Sequence, residues 1–289
     1  MRKKIGKSEK NILKNPARLT ILYNCGNIRK FQKACVVPMD KITSRSNPKI
    51  KYACSLKNDY TGDFLLAEGL RLCRDAAQNG VPIRTCFLSE KMLESGACAE
   101  ILAASEETYC ISESVCDKLG DTKNPQGVFC ICRKPAAEHT VNTGGKYLFL
   151  ENVRDPGNFG TMLRTAEAFG LSGIMAAGCC EVFAPKVLRA SMGAVFRFPV
   201  IKAENAGAFL SDCISKGMHL YCAVVDSAAA DVAVLEGKSG IIAAVGNEAN
   251  GLSGAMLALG ESFTIHMAGR AESFNASQAA TVIMYEMSK

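Results

Sequence analysis

Apolar and polar positions are patterned in two ways along the chain. Between residues 63 and 133 short apolar runs alternate with amphipathic stretches. DFLLAEGLRLCRDAAQNG (63–80) opens as a strand and continues as a helix, with Leu70, Cys73, Ala76 and Ala77 at helical spacing and Asn79-Gly80 at its end. IRTCFLS (83–89), TYCIS (108–112) and GVFCICR (127–133) read as strands, and helices are predicted over 90–104 and 113–119. From residue 146 the runs are longer and drier: KYLFLE (146–151), GIMAA (173–177), HLYCAVV (219–225) and GIIAAV (240–245). Such near-continuous apolar strands are those buried on both faces of a parallel sheet. Helices are predicted between them, over 159–169, 185–192 and 205–216. A last helix has Ala276, Ala279, Ala280, Ile283, Met284 and Met287 on its core face. The fold class is therefore α/β, with a small domain over 39–135, an aperiodic Asn/Thr/Gly linker over 136–145 and a larger domain over 146–289.

Composition changes this picture in three places. No apolar run reaches the ~18 residues of a membrane helix, and no apolar stretch follows MRKKIGKSEK as a secretory signal requires. The 14 cysteines and three histidines show no metal-type spacing. They read as core thiols of a protein in a reducing cytoplasm, without a metal. The net charge of +6 is uneven: residues 1–38 hold ten Lys/Arg against one Glu, 39–135 hold thirteen against thirteen, and 136–289 hold eleven against fourteen. Nucleic-acid binding must therefore come from local patches rather than from a basic body.

In the second domain, three polar loops follow apolar strands, where ligands bind in doubly wound sheets. The first is NVRDPGNFGTMLRTAEAFG (152–170). Pro156-Gly157 makes a turn, Asn158 is placed to cap the following helix, and Arg164 falls off the buried stripe, where pairing with Glu167 is the ordinary reading. The second, VGNEANGLS (245–253), presents Gly246, Asn247 and Glu248 at a strand's carboxyl end and has Ser253 as a cap. The third, IHMAGRAESFNASQAATVIMYEM (265–287), holds Ser273 and Asn275, the latter the expected N-cap of the last helix. Taken singly, each loop reads equally well as a turn and a cap. The GxGxxG and P-loop signatures of other nucleotide-using α/β enzymes are absent.

Together the three loops closely resemble the signature motifs of the SpoU/TrmH family of RNA ribose 2′-O-methyltransferases. The first, Asn152 to Gly170, is similar to N-x-G-N-x-G with Arg164-Thr165-Ala166 on the helix, the second, 246–251, to G-x-E-x-x-G, and the third, 265–277, to I-P-M-x-G-x-x-x-S-L-N-V-S. SNPKIK (46–51), DFLLAEG (63–69) and KLGDTKNPQGV (118–128) resemble the ribosomal-protein-like RNA-binding domain that precedes the catalytic domain in many members. The resemblance implies a trefoil-knotted, mostly parallel α/β methyltransferase domain, an exception to the rule that chains do not knot. It implies S-adenosylmethionine as cofactor, a homodimer with active sites at the subunit interface, and RNA as substrate. The N-terminal domain type points to ribosomal RNA; a tRNA enzyme and a non-catalytic RNA-binding relative are the alternatives.

Carried over by position, the cofactor contacts are Gly246, Asn247, Ile265, Met267, Phe274, Asn275 and Ala276, and the polar catalytic set is Asn158, Arg164, Glu248, Ser273 and Asn275. His266, Phe274 and Ala276 stand where the family usually has proline, leucine and valine. Backbone contacts tolerate such changes, and His266 is expected to pack or face solvent. MDKITSRSNPKIK (39–51) resembles the usual start of the N-terminal domain. Residues 1–38 are accordingly expected to be a poorly ordered basic extension, and residues 39–289 to be folded, dimeric and active without it. A leader outside the working protein is favoured over an RNA-binding arm or a targeting peptide.

Overall fold

The computed structural model describes residues 36–136 and 140–289, together with the backbone of two short strands at 13–15 and 18–22. Two compact units divide the chain, residues 1–133 and 134–289.

The first unit runs β1 (Leu13–Asn15), β2 (Arg18–Leu22), β3 (Val36–Ile42), α1 (Pro48–Ser55), β4 (Phe64–Glu68), α2 (Leu70–Gln78), β5 (Ile83–Ser89), α3 (Glu90–Ser95), α4 (Ala99–Ala104), β6 (Ser105–Ile111), α5 (Glu113–Leu119) and β7 (Val128–Arg133). Its strands form one sheet in the order β1-β2-β3-β6-β5-β7-β4. On one face Phe87, Phe129 and Ile131 pack with Ile50 of α1 and Val115 and Leu119 of α5. The alternate positions of the same strands carry Cys86, Cys130 and Cys132, which share their surroundings with Cys73 of α2. Burial pushes the thiols of Cys130 and Cys132 well above their ordinary range and that of Cys98 to about 12. These groups pack as small hydrophobes, as the sequence predicts.

Two departures have local causes. The helix expected over 90–104 is broken in two, because Gly96 takes a left-handed φ of 71° and ends α3. Within 1–38, where no element is expected, β1 and β2 form a hairpin whose second strand pairs antiparallel with β3, Leu19 opposite Met39. Met39 is buried inside β3. The rest of 1–35 lies outside the described residues, and with it the expectation of poor order there. Two sequence stretches of this unit meet in space. The Glu68 carboxylate accepts from the Asp121 N–H and the Thr122 hydroxyl, both at 2.8 Å, and Gln126 Oε1 accepts from the Leu70 N–H at 2.9 Å, capping α2.

The second unit runs β8 (Lys146–Glu151), α6 (Pro156–Ala168), β9 (Gly173–Ala177), α7 (Pro185–Ser191), β10 (Val200–Lys202), α8 (Ala206–Ser215), β11 (His219–Ala223), β12 (Ala230–Asp231), β13 (Ile241–Val245), α9 (Gly254–Leu257), β14 (Glu261–Thr264) and α10 (Ala276–Ser288). The seven strands are parallel, in the order β10-β9-β8-β13-β11-β14-β12. β9 and β13 are buried along their whole length, as a sheet covered on both faces requires. Phe149, Met175, Leu220 and Ile242 form the core on one face, with Leu210 and Cys213 of α8. α6 and α10 pack against each other over the sheet. Because β13 inserts between β8 and β11, the loops after β8 and β13 are neighbours, and α10 returns the third loop to them. The stretch read as a linker is part of this unit from Val141, which packs on the core, while the Asn142 N–H donates to the Tyr147 hydroxyl at 2.9 Å. Among the described residues no helix is long and apolar enough to cross a membrane, and no His/Cys/Asp/Glu group could hold a metal.

Candidate active site

The first loop enters its helix earlier than its sequence suggests. α6 begins at Pro156, and its N-cap is Asp155, whose Oδ1 accepts from the Asn158 N–H at 2.8 Å. The expectation that Asn158 caps the helix is thus corrected. Proline at the first helical position has its φ preset and no N–H to satisfy, so the helix starts there and the cap falls one residue before it. The Asn158 N–H, followed by the Lys186 ammonium at 3.2 Å, holds the Asp155 carboxyl below the usual carboxylate range.

Relieved of capping, the Asn158 side chain joins the three loops. Its Nδ2 donates to Glu248 Oε1 at 2.6 Å, and its Oδ1 accepts from Asn275 Nδ2 at 3.3 Å. Asn275 Oδ1 in turn caps α10, accepting from the Ser277 N–H at 3.0 Å and from the Ser277 hydroxyl at 2.6 Å. An amide from the first loop, a carboxylate from the second and an amide from the third form a continuous chain. The capping role expected of Asn275 is seen, and its second bond explains why this cap is an asparagine. Serine would cap α10 as well but has no amide to offer Asn158.

That difference makes a test. Asn275→Ser is expected to leave the melting temperature near that of the native chain, because a capping oxygen remains. It should lower the rate of the reaction assigned below about tenfold through the lost link. Asn275→Ala should lose about 1 kcal/mol of stability as well. Thermal unfolding and initial-rate measurements on the two variants separate the roles.

Beside this chain of bonds lies a cavity of about 390 Å³. Gly246, Asn247 and Glu248 line it from the second loop, and Ile265, Met267, Ser273, Phe274 and Ala276 from the third. Val245, Leu252, Thr264, Ala279 and Ile283 complete the walls, and none of them is a site residue predicted from the sequence. Val225 and Leu257, also on the lining, are exposed together with Phe274 at 71%, 37% and 43%. Three of the large exposed hydrophobic side chains of the described residues thus belong to one cavity, as expected of a site that a ligand covers. Val225 was read as the end of a strand; β11 stops at Ala223, which turns 224–225 into the cavity wall. The second loop closes on itself, the Gly251 N–H donating to the Asn247 carbonyl at 2.8 Å and the Asn247 N–H to the Gly251 carbonyl at 3.2 Å. Glu248 is the one charged residue on the cavity lining, and it is an acid. A phosphate-bearing nucleotide would meet no cation there, whereas a cationic, largely apolar nucleoside of cavity size suits the walls.

Arg164 stands elsewhere. Six residues beyond Asn158 on α6, it is displaced by about 9 Å along the axis and roughly 240° around it. It is exposed and makes no ion pair or hydrogen bond with any described residue. The pairing with Glu167 expected from their spacing does not form, because Glu167 is bound by Arg197 through Nε and, at 2.9 Å, through Nη2. A two-point guanidinium fork from the following segment wins over a single contact along the helix. His266 faces solvent, its Nε2 lying 3.7 Å from Asp231 Oδ2.

Comparison with known proteins matches these loops to one family. The profile described as the SpoU rRNA Methylase family matches residues 145–285, and that of the MRM3-like substrate binding domain matches residues 47–130. The chain is 28% identical over 256 residues to the 23S rRNA (guanosine(2553)-2′-O)-methyltransferase RlmP of Bacillus subtilis, covering 86% of this chain and 99% of that protein. It is 31% identical over 258 residues to a Synechocystis protein named as an uncharacterized tRNA/rRNA methyltransferase, covering 85% of this chain and 92% of the other. Among solved structures, the AdoMet-bound rRNA methyltransferase from Sinorhizobium meliloti superposes with a TM-score of 0.74 at 30% identity, over 86% of this chain and 97% of the other.

Proposed function

The chain belongs to the SpoU rRNA methylase family, with that family's trefoil-knotted α/β methylase domain, and from that premise we propose that it transfers a methyl group from S-adenosylmethionine to a ribose 2′-hydroxyl of ribosomal RNA. The observation that carries the reading is the cavity between the second and third loops. Its walls are apolar, its size is that of a small-ligand site, and its one charge is negative. S-adenosylmethionine, when bound there, supplies a methyl group on a sulfonium, already a good electrophile.

The protein's part is then alignment, and the residues divide it. Gly246, Asn247, Ile265, Met267, Phe274 and Ala276 hold the cofactor, largely through backbone and apolar contact. Asn158, Glu248 and Asn275 lock the three loops in register, and Ser273 lines the same wall. Arg164 grips the phosphodiester beside the target ribose through two parallel N–H donors, so that the hydroxyl stands in line with the methyl. A guanidinium does not deprotonate in proteins, so Arg164 orients and does not act as the base.

The working form in this reading is a homodimer. Arg164 is exposed on α6 and is not among the residues lining the cavity of its own copy; the half-exposed Tyr285 of α10, which packs on Phe169 ring to ring at 6.0 Å, offers apolar surface on the neighbouring helix. In this dimer a second copy would cover the α6 and α10 surface, and each Arg164 would serve the other's cavity. The 39–135 domain carries the RNA, and the cysteine pattern suits the cytoplasm.

The experiment that tests the assignment maps 2′-O-methylated riboses in ribosomal and transfer RNA from cells with and without the gene. Loss of one ribosomal site is expected; loss of a tRNA site alone would move the substrate, and no loss would favour a non-catalytic relative. A fragment spanning 134–289, which has its own core, should bind S-adenosylmethionine in calorimetry with near-native affinity yet methylate RNA at least ~100-fold more slowly, for want of the domain that orients the substrate.

A further inference from the structure

Glu151 ends β8 with its carboxylate turned inward and is only 6% exposed. Its Oε2 accepts from the Ser253 N–H at 2.7 Å and its Oε1 from the Ser253 hydroxyl at 2.8 Å. Ser253 closes the second loop and caps α9, its Oγ accepting from the Met256 N–H at 3.4 Å. The next residue, Asn152, is held at a left-handed φ of 57° and presents its carbonyl to Asn247 Nδ2 at 3.0 Å. Two consecutive residues, the last of β8 and the first of the first loop, therefore pin both ends of the second, Asn152 the front and Glu151 the back. Between those pins lie Glu248, Gly251 and Leu252, which form one wall of the cavity.

Burying a carboxylate costs more than burying an apolar or amide side chain of the same size. A charge kept at this depth, with both oxygens spent on one serine, holds geometry rather than adding net stability. The bonds are short and charge-assisted, which makes them about twice as strong as neutral ones and correspondingly stiff. We infer that Glu151 is a positioning residue for the cofactor, its buried charge fixing the wall formed by residues 246–253. The inference rests on the cofactor reading of the cavity given above.

Glu151→Gln, Ser253→Ala and the double variant, each in the full chain, test it. Calorimetry with S-adenosylmethionine, KM and kcat for the cofactor, and thermal unfolding are the readouts. Glu151→Gln keeps shape and volume but loses the charge. The cofactor Kd and KM should rise about tenfold while kcat at saturating cofactor stays within about twofold. Ser253→Ala should raise Kd similarly, and the double variant no further, because the two residues act through one contact. A Glu151→Gln variant with lower kcat or melting temperature and native cofactor Kd overturns the inference and leaves Glu151 a structural residue. So does full additivity in the double variant. Should Glu151→Gln fail to fold, Ser253→Ala carries the same test. A native chain that shows no cofactor binding overturns the reading of the cavity and this inference with it.

Discussion

Arg164→Ala is expected to lower methyl transfer by about 10²–10³-fold while leaving cofactor affinity within about twofold and stability within about 0.5 kcal/mol. The side chain is exposed and makes no hydrogen bond or ion pair with the described residues, so its truncation costs little stability. If Arg164 grips a phosphodiester, as proposed, its loss should be felt in transfer to RNA and not in cofactor binding. Arg164→Lys should recover little, since a point charge does not replace a planar fork. The placement of Arg164 makes a sharper test available. Arg164→Ala has a sound cavity and no guanidinium, and Gly246→Ala has the reverse. Mixed one to one and allowed to exchange subunits, two inactive preparations should yield about a quarter of native activity if Arg164 serves the other copy of a two-fold dimer. Recovery of none would place Arg164 in the service of its own cavity.

The second large effect is expected at Gly246. A Cβ added there would lie 2.1 Å from the Gly251 carbonyl carbon, 2.2 Å from its oxygen and 2.3 Å from the Leu252 nitrogen. These are backbone atoms of the closed second loop and cannot swing aside as a flexible side chain would. The paired bonds between Asn247 and Gly251 must break, and the cavity wall moves with them. Gly246→Ala should weaken S-adenosylmethionine binding by about 100-fold or more, equivalent to roughly 3 kcal/mol, a typical cost for overpacking a fixed site. Gly251→Ala is the control for crowding: nothing stands within 4 Å of a Cβ there, although its φ of 66° disfavours any side chain. It should cost stability through strain and affect binding less. Calorimetry on both variants distinguishes steric closure of the loop from general disturbance.

How much of this was legible in the sequence depends on which signal each residue leaves. The dry strands over 146–151, 173–177 and 240–245 announce a two-sided parallel sheet, because burial on both faces removes the polar positions from the strand interior, and β8, β9 and β13 are of that kind. Asn275 as a cap was legible from its place before a periodic helix. Asp155 and Asn158 are equally good capping residues, so the sequence alone favours neither; Pro156 between them decides for Asp155, through its preset φ. Glu151 left no signal. One acidic residue at the end of an apolar strand looks like the first residue of a loop, and only the adjacency of β8 and β13, a matter of sheet order, shows that it is buried against Ser253. The strands at 13–15 and 18–22 were hidden by the charge of their surroundings. The break of the 90–104 helix was written in Gly96, which periodicity alone passes over.

The central claim is that the methyl group goes to a ribose hydroxyl. Full-length protein can be incubated with ribosomal RNA and S-adenosylmethionine labelled in its methyl group, and the RNA then hydrolysed in alkali. A ribose without its free 2′-hydroxyl cannot attack the neighbouring phosphodiester, so 2′-O-methylation leaves an uncut dinucleotide. Ribose methylation predicts label in one alkali-resistant dinucleotide, absent with Arg164→Ala. Label released entirely in mononucleotides would mean a methylated base and would contradict it.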